Sequence, residues 1–119
     1  MQSFRNLKVW EKAHLLTLNV YKASRVFPRE ELYGLTSQMR RSSASIGANI
    51  AEGCCRKRDT ELGRFLQIAM GSASELEYQL LLARDLEMIK SLDFQRLSGE
   101  VIEIKKMLAA LIHKLRADS

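Results

Sequence analysis

Arg56, Lys57 and Arg58 follow one another without interruption, with Arg40 and Arg64 in the flanking segments. A cluster of this kind can hold phosphate oxygens. Guanidinium groups grip two oxygens at once, an ammonium acts as a point charge, and neither needs a particular base. Other chemistry does not assemble. His14 and His113 stand alone, with no second His at i+4 and no Cys at ligand spacing. Cys54 and Cys55 are adjacent, which disfavours an unstrained disulfide, and no nearby His completes a zinc site. Glu75 and Glu77 are two apart, so on a helix they point to different faces and make a poor acid–base pair. Walker, dinucleotide-binding and nucleophile-elbow patterns are absent, as are the Glu-x-x-His pairs of a di-iron bundle. The residues therefore predict a non-enzyme with no cofactor and no metal.

The elements that must position these cations are helical. The 119 residues contain one proline and six glycines, so breakers are scarce, and the length fits a single domain over residues 1–119. Hydrophobic content of 46% against 28% charged separates the chain from disordered sequences. Apolar residues step by three and four in four segments. The first, about 7–26, carries Trp10, Ala13, Leu16, Val20 and Phe27, with Leu15, Leu18 and Tyr21 widening its apolar surface. Pro28 ends it. The second, about 32–52, carries Leu32, Leu35, Met39, Ser42, Ile46 and Ile50, with Gly53 expected as a left-handed residue just past its end. The third, about 60–88, carries Leu62, Phe65, Ala69, Ser72, Leu76, Leu80, Ala83 and Leu86, with Asp59 as cap. The fourth carries Phe94, Leu97, Val101, Ile104, Leu108, Leu111 and Leu115, with Ser91 or Asp93 as cap. Short links between helices of this length predict an all-α, antiparallel up-down-up-down four-helix bundle.

"SSASIGANIA" on the second helix and "IAMGSAS" on the third hold almost no large side chains. Facing each other, they predict two helices at the short end of the ~8–10 Å interaxial range. A turn near Arg56 sets Ser42 against Gly71 and Ser72, Ser45 near Ile68 and Ala69, and Arg41 near Glu75. Gln38, Arg41, Ser45, Asn49, Glu52, Ser72 and Glu75 form the expected structural polar cluster. It would fix the helix register, with Asn49 bonding across the interface or capping a neighbour.

The formal charge is +5. Residues 1–29 and 36–58 are basic: Glu11 and Glu52 are their acids. From Asp59 to Glu103 the balance reverses, and the last helix turns basic again with Lys105, Lys106, Lys114 and Arg116. Two uses follow: phosphate contact through Arg40, Arg56, Lys57, Arg58 and Arg64, or docking of one subunit's basic half on its neighbour's acidic half in a ring. The wide apolar surface of the first helix also favours self-assembly. No stretch approaches the ~20 apolar residues of a membrane span, and "MQSFRNLKVW" lacks a signal-peptide core, so a soluble cytoplasmic protein is expected.

Three stretches, "FRNLKVWEKA", "FPREELYGLTSQMRRSSASIGANIAEG" and "FLQIAMGSASELEYQL", together resemble the four-helix-bundle proteins of the rRNA intervening-sequence family. The resemblance spans nearly the full length and extends to the accessory protein of diversity-generating retroelements. It implies a homopentameric bundle, contact with RNA or DNA, and a protein partner such as a reverse transcriptase. The turn "GCCRKRDTE" departs from the family, whose members often place hydroxyl residues after the basic ones.

Overall fold

The computed structural model describes residues 3–118. Met1, Gln2 and Ser119, which fall within the expected domain, lie outside the described residues. Four helices run in order: α1 (Lys8–Ser24), α2 (Leu35–Cys54), α3 (Asp59–Asp85) and α4 (Ser91–Asp118). Short 3-10 turns at Phe4–Asn6 and Arg29–Glu31 precede α1 and α2. Among the described residues there is no strand.

Cross-helix contacts fix the topology as up-down-up-down. Arg40 of α2 reaches Ser24 near the end of α1, while Gly47 faces Trp10 near its start. Lys12 and Asn19 pair with Glu103 and Glu100 of α4. Lys105 meets Glu77, and Arg84 sits over Phe94. Each adjacent pair is thus antiparallel, and α2 against α3 is the most extensive contact. The core is one cluster built from the period-3.6 faces: Leu16 and Val20, Met39, Ile46 and Ile50, Leu66, Leu76 and Leu80, and Leu97, Val101, Ile104 and Leu108 are all fully buried.

Several expectations are corrected. α2 begins at Leu35, not Leu32, because the 3-10 turn ending at Glu31 holds the chain off the helix and leaves Leu32 half-exposed. Gly53 is helical with negative φ. Its role is space: an added Cβ would stand 2.9 Å from Leu62 Cδ1 and 3.0 Å from Phe65 Cβ. Neither Asp59 nor Ser91 nor Asp93 is a cap. Arg58 holds the cap position of α3 with no side-chain bond, and Lys90 O accepts the Phe94 N–H at the start of α4. Leu86 lies beyond the end of α3 and is 55% exposed. There the chain turns through Glu87 at φ 59°, and Met88 N–H donates to Ala83 O, the closure of a Schellman motif.

The α2–α3 register also differs from expectation. Ser42 meets Glu75 and Ser45 meets Ser72, pairs whose numbers both sum to 117 instead of about 112. Helix α2 continues through Gly53 and Cys54, which moves the crossing point toward Arg58. Arg41 is therefore not beside Glu75 and is exposed. Gly71 is exposed too, with nothing within 4 Å of a Cβ placed on it, so it is not part of the tight seam.

Candidate nucleic-acid interface

The antiparallel order brings the start of α1, the end of α2, the start of α3 and the end of α4 to one end of the bundle. The linker Cys55–Arg58 forms its apex. Cys55 and Arg56 N–H groups close on Glu52 and Gly53 carbonyls, and Arg58 O accepts from Glu61 and Leu62. Lys57 and Arg58 both lie outside the two flanking helices, Arg58 lending only its carbonyl to the start of α3, and both are exposed. Among the described residues neither has a carboxylate partner.

Arg56 is held more firmly. Its Nη2 donates to Glu52 at 2.8 Å, and its guanidinium lies 4.9 Å from the Phe65 ring centre. Its Nε is buried and, among the described residues, has no hydrogen-bond partner. Arg64 approaches the same ring at 4.8 Å. Two cations therefore share one aromatic, an arrangement that contributes about 0.5–1 kcal/mol per contact at exposed sites and restricts where the guanidinium planes can go. Beside them, Arg64 and Arg116 edge a shallow cavity of about 260 Å³ between α3 and α4. Asp59 lines it as well, so the surface there is not uniformly positive.

Arg40 is placed elsewhere. It lies toward the opposite end of α2, half-buried, with Nε donating to Ser24 Oγ at 2.9 Å and Nη2 to Tyr21 O at 3.4 Å. The guanidinium covers the Tyr21 ring at 4.7 Å. This side chain ties α1 to α2, and the fold does not bring it to Arg56, Lys57, Arg58 and Arg64.

The polar residues divide similarly. Ser45 Oγ and Ser72 Oγ are 2.9 Å apart, and Asn49 Nδ2 donates to Ser45 O and Oγ at 2.8 and 3.0 Å. Asn49 thus folds back on its own helix instead of crossing or capping. Ser42 Oγ faces both Glu75 Oε1 at 2.8 Å and Gln38 O at 2.9 Å. Glu52 belongs with Arg56 at the apex, Gln38 contributes only its carbonyl, and Arg41 stands apart. Sequence periodicity does not single out the buried Thr36 and Gln79, whose Oγ1 and Oε1 have no hydrogen-bond partner among the described residues. Nor did it reveal the Tyr21–Arg40–Ser24 tie, since nothing in sequence spacing links residues 16 apart on different helices.

One titration is perturbed. Burial pushes the Cys54 thiol above its ordinary value, and the neighbouring Cys55 adds to the shift. Cys55 is exposed, and both thiols are free. Among the described residues, no group of three or more His, Cys, Asp or Glu could hold a metal ion, and no helix is long and apolar enough to cross a membrane.

Comparison with known proteins agrees with this architecture. The 23S rRNA-intervening sequence protein family matches residues 5–110. Among solved structures, a protein of unknown function from the S23 ribosomal protein family of Bacteroides thetaiotaomicron is similar with a TM-score of 0.79 at 28% identity, over 87% of this chain and 97% of that one. No functionally curated protein matches the chain. The matched span takes in α1, α2 and α3 whole and most of α4, so the chain belongs to the 23S rRNA-intervening sequence protein family.

Proposed function

We propose that the protein is a non-enzymatic scaffold that assembles with copies of itself, as a homopentamer, and binds RNA or DNA through phosphates without strong sequence preference. The observation that carries the nucleic-acid reading is the apex. Lys57 and Arg58 project from a four-residue linker, while Arg56 and Arg64 are steadied on Phe65 beside them. A carboxylate partner would cancel a cation's pull on phosphate, and among the described residues Lys57, Arg58 and Arg64 have none.

Assembly is supported by a second feature. Leu15 and Leu18 stay exposed on α1, and the basic α1–α2 layer is covalently followed by the acidic run of α3. A head-to-tail contact between those layers closes into a ring when the rotation permits.

The test is binding of a labelled oligonucleotide at low salt. Wild type should bind, and joint replacement of Arg56, Lys57 and Arg58 by Ser should abolish most of that binding. No binding by folded wild type would leave a protein-interaction module that touches no nucleic acid.

A further inference from the structure

At the end of the bundle away from the apex, a groove of about 470 Å³ runs between α1 and the start of α2. Its size falls within the range of ligand clefts. Tyr21, Tyr33 and Leu32 line it, Ser37 and Ala44 are small, and Arg40 and Arg41 complete it. Tyr33 is 93% exposed, the highest value among the large apolar and aromatic side chains described.

We propose that this groove takes an unpaired nucleobase, so that the protein binds single-stranded nucleic acid in preference to duplex. The inference rests on the nucleic-acid reading above and adds which form is recognised. Tyr33 offers a free π-face. The Arg40 guanidinium is pinned over Tyr21 by Ser24 Oγ and Tyr21 O, which gives a second flat surface fixed in advance. Bases stack on aromatic rings and on guanidinium planes of this kind. Arg41 is exposed, and among the described residues it has no carboxylate partner, so it is free for a flanking phosphate. Of the nearby acids, Glu31 is engaged in accepting the Leu35 N–H at 3.1 Å, and Glu30 is exposed. Bases inside a duplex are already stacked on one another and cannot enter without being unstacked.

The experiment uses fluorescence anisotropy with a labelled strand of about 16 nucleotides, the upper footprint of one single-strand-binding domain, and the same strand annealed to its complement. Wild type should bind the single strand about tenfold more tightly, in line with one stacked base. Tyr33→Ala should erase that preference while leaving duplex binding and melting temperature unchanged, and Tyr33→Phe should keep it. Equal wild-type affinities for the two forms, or a preference that survives Tyr33→Ala, would overturn the proposal while the apex reading stands. No wild-type binding to either form would sink both. Sedimentation of Tyr33→Ala should match wild type. Dissociation into smaller species would make the groove a seat for a second copy and overturn the base-stacking assignment.

Discussion

Ser45 and Ser72 place their hydroxyl oxygens 2.9 Å apart across α2 and α3. Side chains of one carbon can meet this way only when the two backbones come close, so this pair marks a close approach of the two helices. Replacing Ser72 by Leu forces them apart and should cost about 1–3 kcal/mol, as overpacking does elsewhere. Ser72→Ala keeps the spacing and removes one hydrogen bond, so about 1 kcal/mol is expected. Chemical denaturation distinguishes the two.

Gly53 and Gly71 should respond oppositely to alanine. Both are helical, where Ala is favoured by about 1 kcal/mol. At Gly71, Gly63 and Gly99 nothing lies within 4 Å of the new Cβ, so each substitution should stabilise by about 0.5–1 kcal/mol. At Gly53 the Leu62 methyl can rotate aside, but Phe65 Cβ is fixed to the α3 backbone. Gly53→Ala should therefore destabilise by about 1 kcal/mol net, read as a lower melting temperature.

Glu87 has φ 59°, a region that costs a residue with a Cβ about 1 kcal/mol or more. Glu87→Gly should stabilise the protein by up to about 1 kcal/mol. Loss of stability in denaturant melts would show that the Glu side chain contributes more than its backbone strain costs.

These cases show what was and was not legible in the sequence. The α4 seam from Leu97 to Leu108 follows from periodicity alone, because burial repeats with the helix. At its end Ile112 is buried and Leu111 and Leu115 are partly buried against the core, where a strict seven-residue repeat points to the two leucines alone. A straight helix drifts away from that repeat. The α2–α3 register is not legible in the sequence, because periodicity fixes faces, not the offset between helices, which depends on where the turn falls. Lys57 and Arg58 were legible as linker cations. The capture of Arg40 by Ser24 and Tyr21 was not, since it depends on that same three-dimensional offset between α1 and α2.

That capture separates stability from binding. Arg40→Ala removes a charged donor from Ser24 and the cation over Tyr21, and should cost about 1–2 kcal/mol of stability with little effect on duplex binding. Arg58→Gln, which removes the charge without giving α3 the serine cap that its start lacks, should do the reverse: an unchanged melting temperature and weaker binding. Paired melting and binding curves decide it.

The two cysteines should differ in reactivity. Cys55 is exposed, whereas burial raises the Cys54 thiol. Titration with a thiol reagent at pH 8 should give one fast equivalent, with the second released on unfolding. The folded state holds the Cys54 proton more tightly than the unfolded chain. Its contribution is therefore full at neutral pH and lost as pH rises past the ordinary thiol range of about 8.5. Alkaline pH should lower the melting temperature less in Cys54→Ala.

The most direct measurement is the salt dependence of oligonucleotide binding for wild type and for the joint Ser replacement of Arg56, Lys57 and Arg58. Each lost phosphate contact lowers the slope of log affinity against log salt by about 0.9 on duplex. A steep wild-type slope that flattens by about 2–3 in the triple variant is the predicted result. A slope that is the same in both proteins would contradict the account, because the apex would then make no contact with phosphate.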